Sequence, residues 1–595
     1  MKKFLYYSKK FCIKELVLIT FVCFFFFIMF YGKQNVFLVD VGREAYIPWQ
    51  MLKGQLLYKD IFNVYGPLGY QINAIAYAIL GVKLNTLYIM GVLNSLLILI
   101  STFFIAHLFI KKKYAIIVSA LTLFVCVFTV KHFNFIYPYS YSAVYALTGF
   151  LFSLLAMLLY MQKDKKLYLY LSFLFAGFSF ANKIENLPYF AMIFLVLPFF
   201  LKRDWKEYFK ATVAFMVFPI ISFGGVLAQG TGINDIINAV ELIKKLLNAK
   251  TTEFFYYNYG LYLNKSFVFH AIQFTLLSAL IFLPYIASYF LVNFINQKYL
   301  KNKIIKFFLN SIVFVSLFYC ANSLSRHYTP ISGTLCNFGI ICVFISVISL
   351  CFLSYKAIKA KNIGVITNKE KMFLFLIFAA ISVSIKGIAN TTTECYGTFS
   401  LAALFIPISV FGFKYLPEIL PFWNKKAMNK TFANVLGLII LIFFANTCKE
   451  IFYKNEYLIK TQTGSIFVND SYKSTKEITD FINKNTPKDA TIVSAPEGVL
   501  INFLTQHDSS NMYYYLIPVN VEIFGEDKII KDFKQNPPDY FLLNNIPYVP
   551  FNTGAFCTYA PKTCTYINQN YSLYKTINAP IGFKLYKKNN CIIIK

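Results

Sequence analysis

Long apolar stretches recur along the first three quarters of the 595-residue chain, and they constrain its fold more than any other feature. Each is roughly 17 to 30 residues long, enough for a helix to cross a hydrocarbon core of about 30 Å. Only 14% of the residues are charged and 57% are hydrophobic, unlike a soluble protein of this length. The pattern predicts about thirteen transmembrane helices, at residues 15–31, 86–110, 114–130, 141–161, 167–181, 187–201, 211–229, 266–296, 304–321, 331–355, 372–388, 398–413 and 432–449.

Lysine and arginine are concentrated in every second connection between these predicted helices, which indicates that those connections face the cytoplasm. The N-terminus is also basic and is predicted to be cytoplasmic. With an odd number of helices, the first loop, at about 32–85, and the C-terminus are expected on the outer face. We expect no cleavable signal peptide, because the first apolar stretch is too long for a signal core and no small-residue cleavage site follows it. The basic connections lie at residues 111–113, 163–166, 202–210, 298–306, 356–371 and 414–430.

The net charge of +30 does not predict nucleic acid binding, because most of the excess lies in connections that would face anionic lipid. Most of the 12 cysteines lie inside apolar stretches, where the thiol behaves as a small hydrophobe. Neither the cysteines nor the five histidines have the spacing of metal ligands, so no metal site is predicted. Cys557 and Cys564 differ because they lie in the polar C-terminal part. The sequence leaves open whether they form a disulfide, since it does not give their geometry.

Hydropathy falls from about residue 455, which divides the chain into a membrane domain (1–454) and an extracytoplasmic α/β domain (455–595). Ser474 and Glu477 fit a capping box that would open a helix ending near Asn485. Alternating helices and strands predict a small layered domain with its own core. Strands are predicted at 491–495, 539–543 and 582–586, and further helices at 497–506 and 526–534.

The first loop begins with charged groups where the first apolar stretch ends, which is costly at the edge of a bilayer unless they serve a function. Gly42 permits a tight turn, and if Asp40 caps a helix that starts there, Glu44 falls close to it in the first turn. Two nearby carboxylates raise one pKa, as a general base requires. Arg43 offers a forked donor for phosphate. The alternative is purely structural, with Asp40 as the helix cap and Glu44 in the first turn.

Other ionisable groups near the predicted outer surface are further candidates, and each has a structural alternative. Asp60 would simply be solvated, Lys183 and Glu185 would cap a span end or pair with each other, and Arg326 would reach lipid phosphate. Apolar residues at helical spacing follow Glu44, which indicates a helix lying in the membrane interface or packing against the spans. Trp49 within it is expected to anchor at the interface rather than to stack on a sugar. The remaining candidates are His327 and Glu394.

Several short motifs resemble the first outer loop of bacterial membrane glycosyltransferases of the GT-C fold. This group includes the relatives of dolichyl-phosphate-mannose protein mannosyltransferases and of lipid A aminoarabinose transferase. FANKIE at 180–185 resembles a lysine-containing span end of that group, and PEG at 496–498, NFLT at 502–505 and PPDY at 537–540 resemble its soluble C-terminal domain. The loop motifs are DVGRE at 40–44, IPWQMLKG at 47–54, YKD at 58–60, YGPL at 65–68 and NAIAYAILG at 73–81.

The resemblance implies an inverting transfer of sugar from a polyprenyl-phosphate carrier to an extracytoplasmic lipid, glycan or protein, in a bacterial plasma membrane. In that family an acid at the start of the loop is the catalytic base, and the matching residue is Asp40. The family often has two adjacent acids there, whereas the second acid here is Glu44, four residues on. The departing phosphate needs positive charge, for which the candidates are Arg43, Lys183, Arg326 and His327. A divalent metal ion would serve equally, although no dedicated ligand set is evident.

Two other functions share parts of this pattern, and a GT-C-like protein that has lost activity and only binds lipid or partner proteins is a third possibility. A surface-polysaccharide polymerase or ligase has many spans and a polyprenyl donor, but uses a lipid diphosphate. The acid-rich first loop favours the glycosyltransferase over it. A non-enzymatic transporter of lipid-linked sugars would carry broken helices at mid-span and inverted repeats. No clear repeat is found, and the acids lie at the edge of a span.

Overall fold

The computed structural model describes residues 12–33, 41–129, 133–200, 204–252, 290, 338–388, 391, 396–421, 423–453, 456–548 and 553–589. Within this part of the chain, six helices are long and apolar enough to cross a membrane. The chain is therefore a multi-span membrane protein. The six helices are Leu84–His107, Tyr141–Lys163, Trp205–Ala228, Phe338–Lys359, Thr398–Ile419 and Lys425–Tyr453.

Shorter helices occupy five more of the predicted spans, at Ile13–Met29, Lys112–Thr122, Lys166–Asn182, Leu187–Phe200 and Asn368–Ser384. The α-helix Lys112–Thr122 continues into a π-helical turn at Leu123–Val127, which completes that span. The predicted spans at 266–296, apart from Phe290, and at 304–321 lie outside the described residues. The total of thirteen therefore stays a prediction. Among the described residues before 454, three further α-helices lie outside the predicted spans, at Val41–Leu52, Leu68–Leu80 and Ile233–Asn248.

The C-terminal part is built on a four-stranded mixed sheet with the order β3-β4-β6-β5, preceded by the β1-β2 hairpin. β3 and β4 are parallel, and all their residues are buried, which explains why they read as continuous apolar runs. The predicted strands at 491–495, 539–543 and 582–586 match β3, β4 and β6. The strands are β1 Tyr457–Thr461, β2 Gly464–Val468, β3 Ile492–Ala495, β4 Tyr540–Asn544, β5 Tyr571–Ile577 and β6 Phe583–Lys588.

Three helices of this part match the predicted ones, three others were not predicted, and one predicted feature needs correction. The predicted capping box is wrong, because the helix begins at Lys473 and the Ser474 hydroxyl donates to the carbonyl of Ile581 instead. Cys557 and Cys564 form a disulfide. The helices are Lys473–Asn485, Val499–Thr505, Pro518–Phe524, Glu526–Gln535, Phe556–Tyr559 and Pro561–Asn570.

The helix Val41–Leu52, here called the docking helix, packs against Val499–Thr505 of the C-terminal part. Its residues 41 to 50 are all buried, so of the two predicted placements the one in the membrane interface is wrong, and the helix packs against the membrane part as well. Trp49 is likewise not an interfacial anchor, since its ring meets that of Phe503 edge to face with centroids 6.0 Å apart.

Gly42 lies inside the docking helix rather than in a turn. A Cβ at this position would stand 2.4 Å from the backbone nitrogen of Leu500. The glycine is therefore needed for the close approach of two helices, and the predicted turn is wrong.

Candidate functional site

A small cavity that opens to solvent lies at one end of the helix bundle. Its walls are formed by the starts of the helices Tyr141–Lys163 and Thr398–Val410. Residues at the ends of Lys166–Asn182 and Asn368–Ser384 complete them. These ends belong to the connections that the charge pattern predicts to face outwards. The polar lining comprises Lys183, Glu185, Asn186, Ser384, Lys386, Tyr396 and Ser400.

Glu185 joins two lysines at the wall of the cavity. Its Oε2 lies 3.2 Å from Nζ of Lys183, and its Oε1 lies 2.6 Å from Nζ of Lys386. Burial opposes ionisation of this carboxyl, but the two lysine charges outweigh it and lower its pKa to about 2. The group of three therefore carries one net positive charge, which suits an anionic ligand. Lys183 is only 5% exposed, so it reaches the cavity from a largely desolvated position.

The YGPL motif at 65–68 positions the side chain of Lys183. Nζ of Lys183 lies 4.9 Å from the centroid of the Tyr65 ring. The carbonyl of Tyr65 accepts hydrogen bonds from the Tyr58 hydroxyl at 2.6 Å and from Nδ2 of Asn63 at 2.8 Å. A Cβ on Gly66 would stand 2.1 Å from the carbonyl oxygen of Ala181, so only glycine lets this turn lie against the helix end beside Lys183.

Three tyrosine hydroxyls connect the first loop to the cavity. The hydroxyls of Tyr65 and Tyr139 are 3.4 Å apart, and those of Tyr139 and Tyr396 are 2.8 Å apart. Lys386 lies over the Tyr396 ring, with Nζ 5.7 Å from its centroid. A chain of three tyrosines thus runs to the cavity wall with Lys183 over its first ring and Lys386 over its last, and both contacts are favourable because aromatic rings attract cations.

Arg43 lies beside this group but does not line the cavity. Its guanidinium is 5.0 Å from the ring centroid of Tyr515, 5.4 Å from that of Tyr139 and 5.8 Å from that of Tyr65. The side chain is 6% exposed. The three rings therefore surround Arg43, which the sequence predicts as a candidate phosphate ligand. One of them, the ring of Tyr515, comes from the C-terminal part.

Glu44 lies in the first turn of the docking helix, as predicted, and is fully buried. Oε2 accepts a hydrogen bond from the backbone nitrogen of Tyr141 at 3.0 Å, and Oε1 accepts one from the Tyr70 hydroxyl at 3.3 Å. Burial raises the pKa of this carboxyl to about 7, although Arg43 and both hydrogen bonds work in the opposite direction. Both carboxylate oxygens therefore have structural partners, so Glu44 fits a positioning role.

The other predicted site residues are separated from the cavity or lie outside the described residues. Asp60 is exposed and closes a turn, with its Oδ2 accepting from the backbone nitrogen of Leu56 at 2.9 Å. The roles of four candidates stay predictions because the structure does not describe them. They are Asp40, Arg326, His327 and Glu394.

Sequence reasoning missed Lys386, although its position carried a usable signal. It stands at the end of the predicted span 372–388, on the side where lysines are sparse. The contributions of Tyr139 and Tyr396 had no comparable signal, since tyrosines are common throughout this chain.

The described residues do not fit a divalent metal ion. They contain no group of three or more histidine, cysteine, aspartate or glutamate side chains that would hold one. The carboxylate at the cavity, that of Glu185, is occupied by two lysines, whose charges would repel a cation.

No family model and no curated protein matches the sequence. Among solved structures, the oligosaccharyltransferase of Archaeoglobus fulgidus in complex with zinc and sulfate is similar at a TM-score of 0.49 and 11% identity, over 96% of this chain and 72% of that chain. Its apo form gives a TM-score of 0.48 and 12% identity, over 99% and 75%. ArnT from Cupriavidus metallidurans bound to undecaprenyl phosphate gives 0.44 and 12%, over 97% and 98%. At such identities, and with TM-scores below 0.5, these likenesses assign neither a family nor a function to this chain.

Proposed function

We propose that the protein is a membrane glycosyltransferase that moves a sugar from a polyprenyl-phosphate carrier to a hydroxyl group on an extracytoplasmic acceptor. The observation that carries this proposal is the pair of lysines held on Glu185 at the wall of the cavity. They lie next to the segment whose motifs resemble the first outer loop of GT-C glycosyltransferases.

A lipid monophosphate fits this cavity in charge and in position. Lys183 and Lys386 leave one net positive charge after Glu185 is counted, and a phosphate diester of sugar and lipid carries one negative charge. The cavity lies at the ends of membrane helices, where the headgroup of a lipid in the bilayer is found. A nucleotide sugar in the cytoplasm would have to cross the membrane to reach the predicted outer face.

In the proposed reaction, the acceptor oxygen attacks the anomeric carbon of the sugar while the bond from that carbon to the phosphate oxygen breaks. The proton of the acceptor hydroxyl passes to the carboxylate of Asp40, and inversion at the anomeric carbon follows from the single displacement. The electron pair of the broken bond leaves with the lipid phosphate, whose added charge Lys183 and Lys386 would stabilise. Asp40 directly precedes Val41, the first residue of the docking helix.

The position in the cell follows from the same proposal. We place the cavity and the C-terminal domain on the outer face of a bacterial plasma membrane, with the N-terminus in the cytoplasm. The support is the alternation of basic and lysine-poor connections. The division into membrane and soluble domains near residue 454 belongs to the same proposal.

The test is mass spectrometry of lipid-linked sugars and surface glycans from cells that lack the chain, with and without the wild-type protein supplied again. We expect a polyprenyl-monophosphate sugar to accumulate and one glycan modification to disappear, both reversed by the wild type. Accumulation of a polyprenyl-diphosphate glycan would instead support a polymerase or ligase. Unchanged glycans and lipids would contradict the proposal.

A further inference from the structure

We propose that the C-terminal domain is a positioning element of the active site, and that it acts through Tyr46 of the docking helix. This inference rests on the proposed function, because it concerns the rate of the same transfer. It assigns to the soluble domain a part in the reaction step itself, in addition to any contact it makes with an acceptor.

One face of the docking helix contacts the C-terminal domain. Gly42, Tyr46 and Gln50 follow one another at intervals of four residues, which places them on one stripe of the helix, and Lys53 stands just beyond its end. Gly42 allows contact with the backbone at Leu500, as described above. The stripe therefore begins at the end of the helix that carries Arg43 and Glu44.

Polar contacts fix the rotation of the docking helix about its axis as well as its distance from the C-terminal domain. The hydroxyl of the buried Tyr46 accepts a hydrogen bond from the backbone nitrogen of Ser509 at 2.7 Å. Oδ1 of Asp508 accepts from Nε2 of Gln50 at 2.8 Å and from Nζ of Lys53 at 2.7 Å. Tyr46 and Gln50 are fully buried, so water cannot replace the hydrogen bonds of their side chains, whereas Lys53 and Asp508 are both partly exposed.

The opposite face of the docking helix is bonded to the membrane part. Glu44 bonds to Tyr141 and Tyr70, and the carbonyl of Ala45 accepts from the Tyr77 hydroxyl at 3.3 Å. The docking helix is bonded on both sides. Loss of the hydrogen bond between Tyr46 and Ser509 would therefore let the helix rotate or shift. Asp40 adjoins this helix, so the proposed base would move with it.

The test compares two buried tyrosines that each lose one hydrogen bond between the side-chain hydroxyl and the backbone, accepted from Ser509 by Tyr46 and donated to Pro538 by Tyr571. Tyr46→Phe removes the contact with Ser509. Tyr571→Phe is the matched control, because the buried Tyr571 hydroxyl bonds to the carbonyl of Pro538 inside the C-terminal domain, at 2.9 Å. Turnover is measured at saturating donor with the lipid-linked sugar fraction from cells lacking the chain. Affinity is measured with farnesyl phosphate, a short polyprenyl monophosphate, and amide hydrogen exchange is followed over residues 41–50.

We expect Tyr46→Phe to lower turnover at least about tenfold, since small displacements of a catalytic group are costly. Its affinity for farnesyl phosphate should stay within about twofold of the wild type, because neither Tyr46 nor Ser509 lines the cavity. Exchange over residues 41–50 should accelerate in Tyr46→Phe and not in Tyr571→Phe.

Equal turnover in the two variants would overturn this inference while leaving the proposed function intact. If the wild type itself transfers no sugar, the proposed function fails. Hydrogen exchange then decides the inference, and equal protection of residues 41–50 in both variants would overturn it.

Discussion

The carboxylate of Glu44 accepts a hydrogen bond from the backbone nitrogen of Tyr141 at 3.0 Å, which joins the docking helix to the first residue of the helix Tyr141–Lys163. A carboxylate is favoured at the N-terminus of a helix, where free N–H groups point outwards. Burial opposes this by favouring the neutral acid. The balance raises the pKa of Glu44 to about 7, so the junction changes its charge near neutral pH.

Stability should therefore fall as pH rises through this range. The pKa of Glu44 is about 7 in the folded protein against an ordinary 4.5, so the folded state binds the proton more tightly. The stabilisation is complete below pH 4.5 and is lost as pH rises through 7, at a cost of up to about 3 kcal/mol. We expect the unfolding temperature in detergent to drop between pH 5 and pH 8.5, and Glu44→Gln to remove part of that drop. The same pH dependence in both proteins would contradict this assignment.

Replacing either lysine of the cavity should weaken donor binding. Lys183→Met and Lys386→Met each remove one cation from the proposed phosphate site, and charged hydrogen bonds of this kind are worth about 1.5 to 3 kcal/mol. The apparent affinity for farnesyl phosphate should fall at least about tenfold in each variant. Lys562→Met is a suitable control, since Lys562 pairs with Asp527 on the exposed surface of the C-terminal domain. Unchanged affinity in both cavity variants would remove these lysines from the phosphate site.

The turn at Gly66 should be intolerant of any side chain. Gly66→Ala would bring a Cβ to 2.1 Å from the carbonyl oxygen of Ala181, so the turn must move and take Tyr65 away from Lys183. We expect weaker farnesyl phosphate binding and an unfolding temperature several degrees lower. Gly437→Ala is the control, because a Cβ there meets no atom within 4 Å. Similar behaviour of the two variants would show that the turn does not support the site.

The disulfide gives a direct test of orientation. Cys557 and Cys564 are bonded to each other, which an oxidising outer compartment permits. In intact cells, a membrane-impermeant maleimide should label these two thiols only after reduction with an external phosphine. The double variant Cys557→Ser, Cys564→Ser should not gain this label. Labelling that requires permeabilised cells would place the C-terminal domain in the cytoplasm and contradict the topology.

The sequence predicts the membrane helices well, because length and hydropathy alone decide whether a helix spans a bilayer. It also predicts β3 and β4, whose residues are buried on both faces. At the docking helix it leaves two placements open. The apolar residues of that helix suit a lipid surface and a protein surface equally well, and only the tertiary fold reveals the C-terminal domain packed against Gly42.

The candidate site was predicted in part for a similar reason. Lys183 and Glu185 are neighbours in the sequence, so their pairing was foreseeable. Lys386 is 201 residues from Glu185, and no local pattern relates the two. Arg43 was considered as a phosphate ligand from its chemistry alone, whereas its surroundings depend on Tyr139 and Tyr515, which come from distant parts of the chain.

The most direct test of the account is sugar transfer by the purified protein after Asp40→Asn. Reconstituted wild type and variant receive the lipid-linked sugar fraction and acceptor membranes from cells lacking the chain, and the unfolding temperatures of both are compared. We predict that the wild type transfers sugar with inversion and releases polyprenyl monophosphate. The variant, equally stable, should lose about a hundredfold or more of the rate, since general-base catalysis contributes that much. A variant that transfers at nearly the wild-type rate would contradict the account.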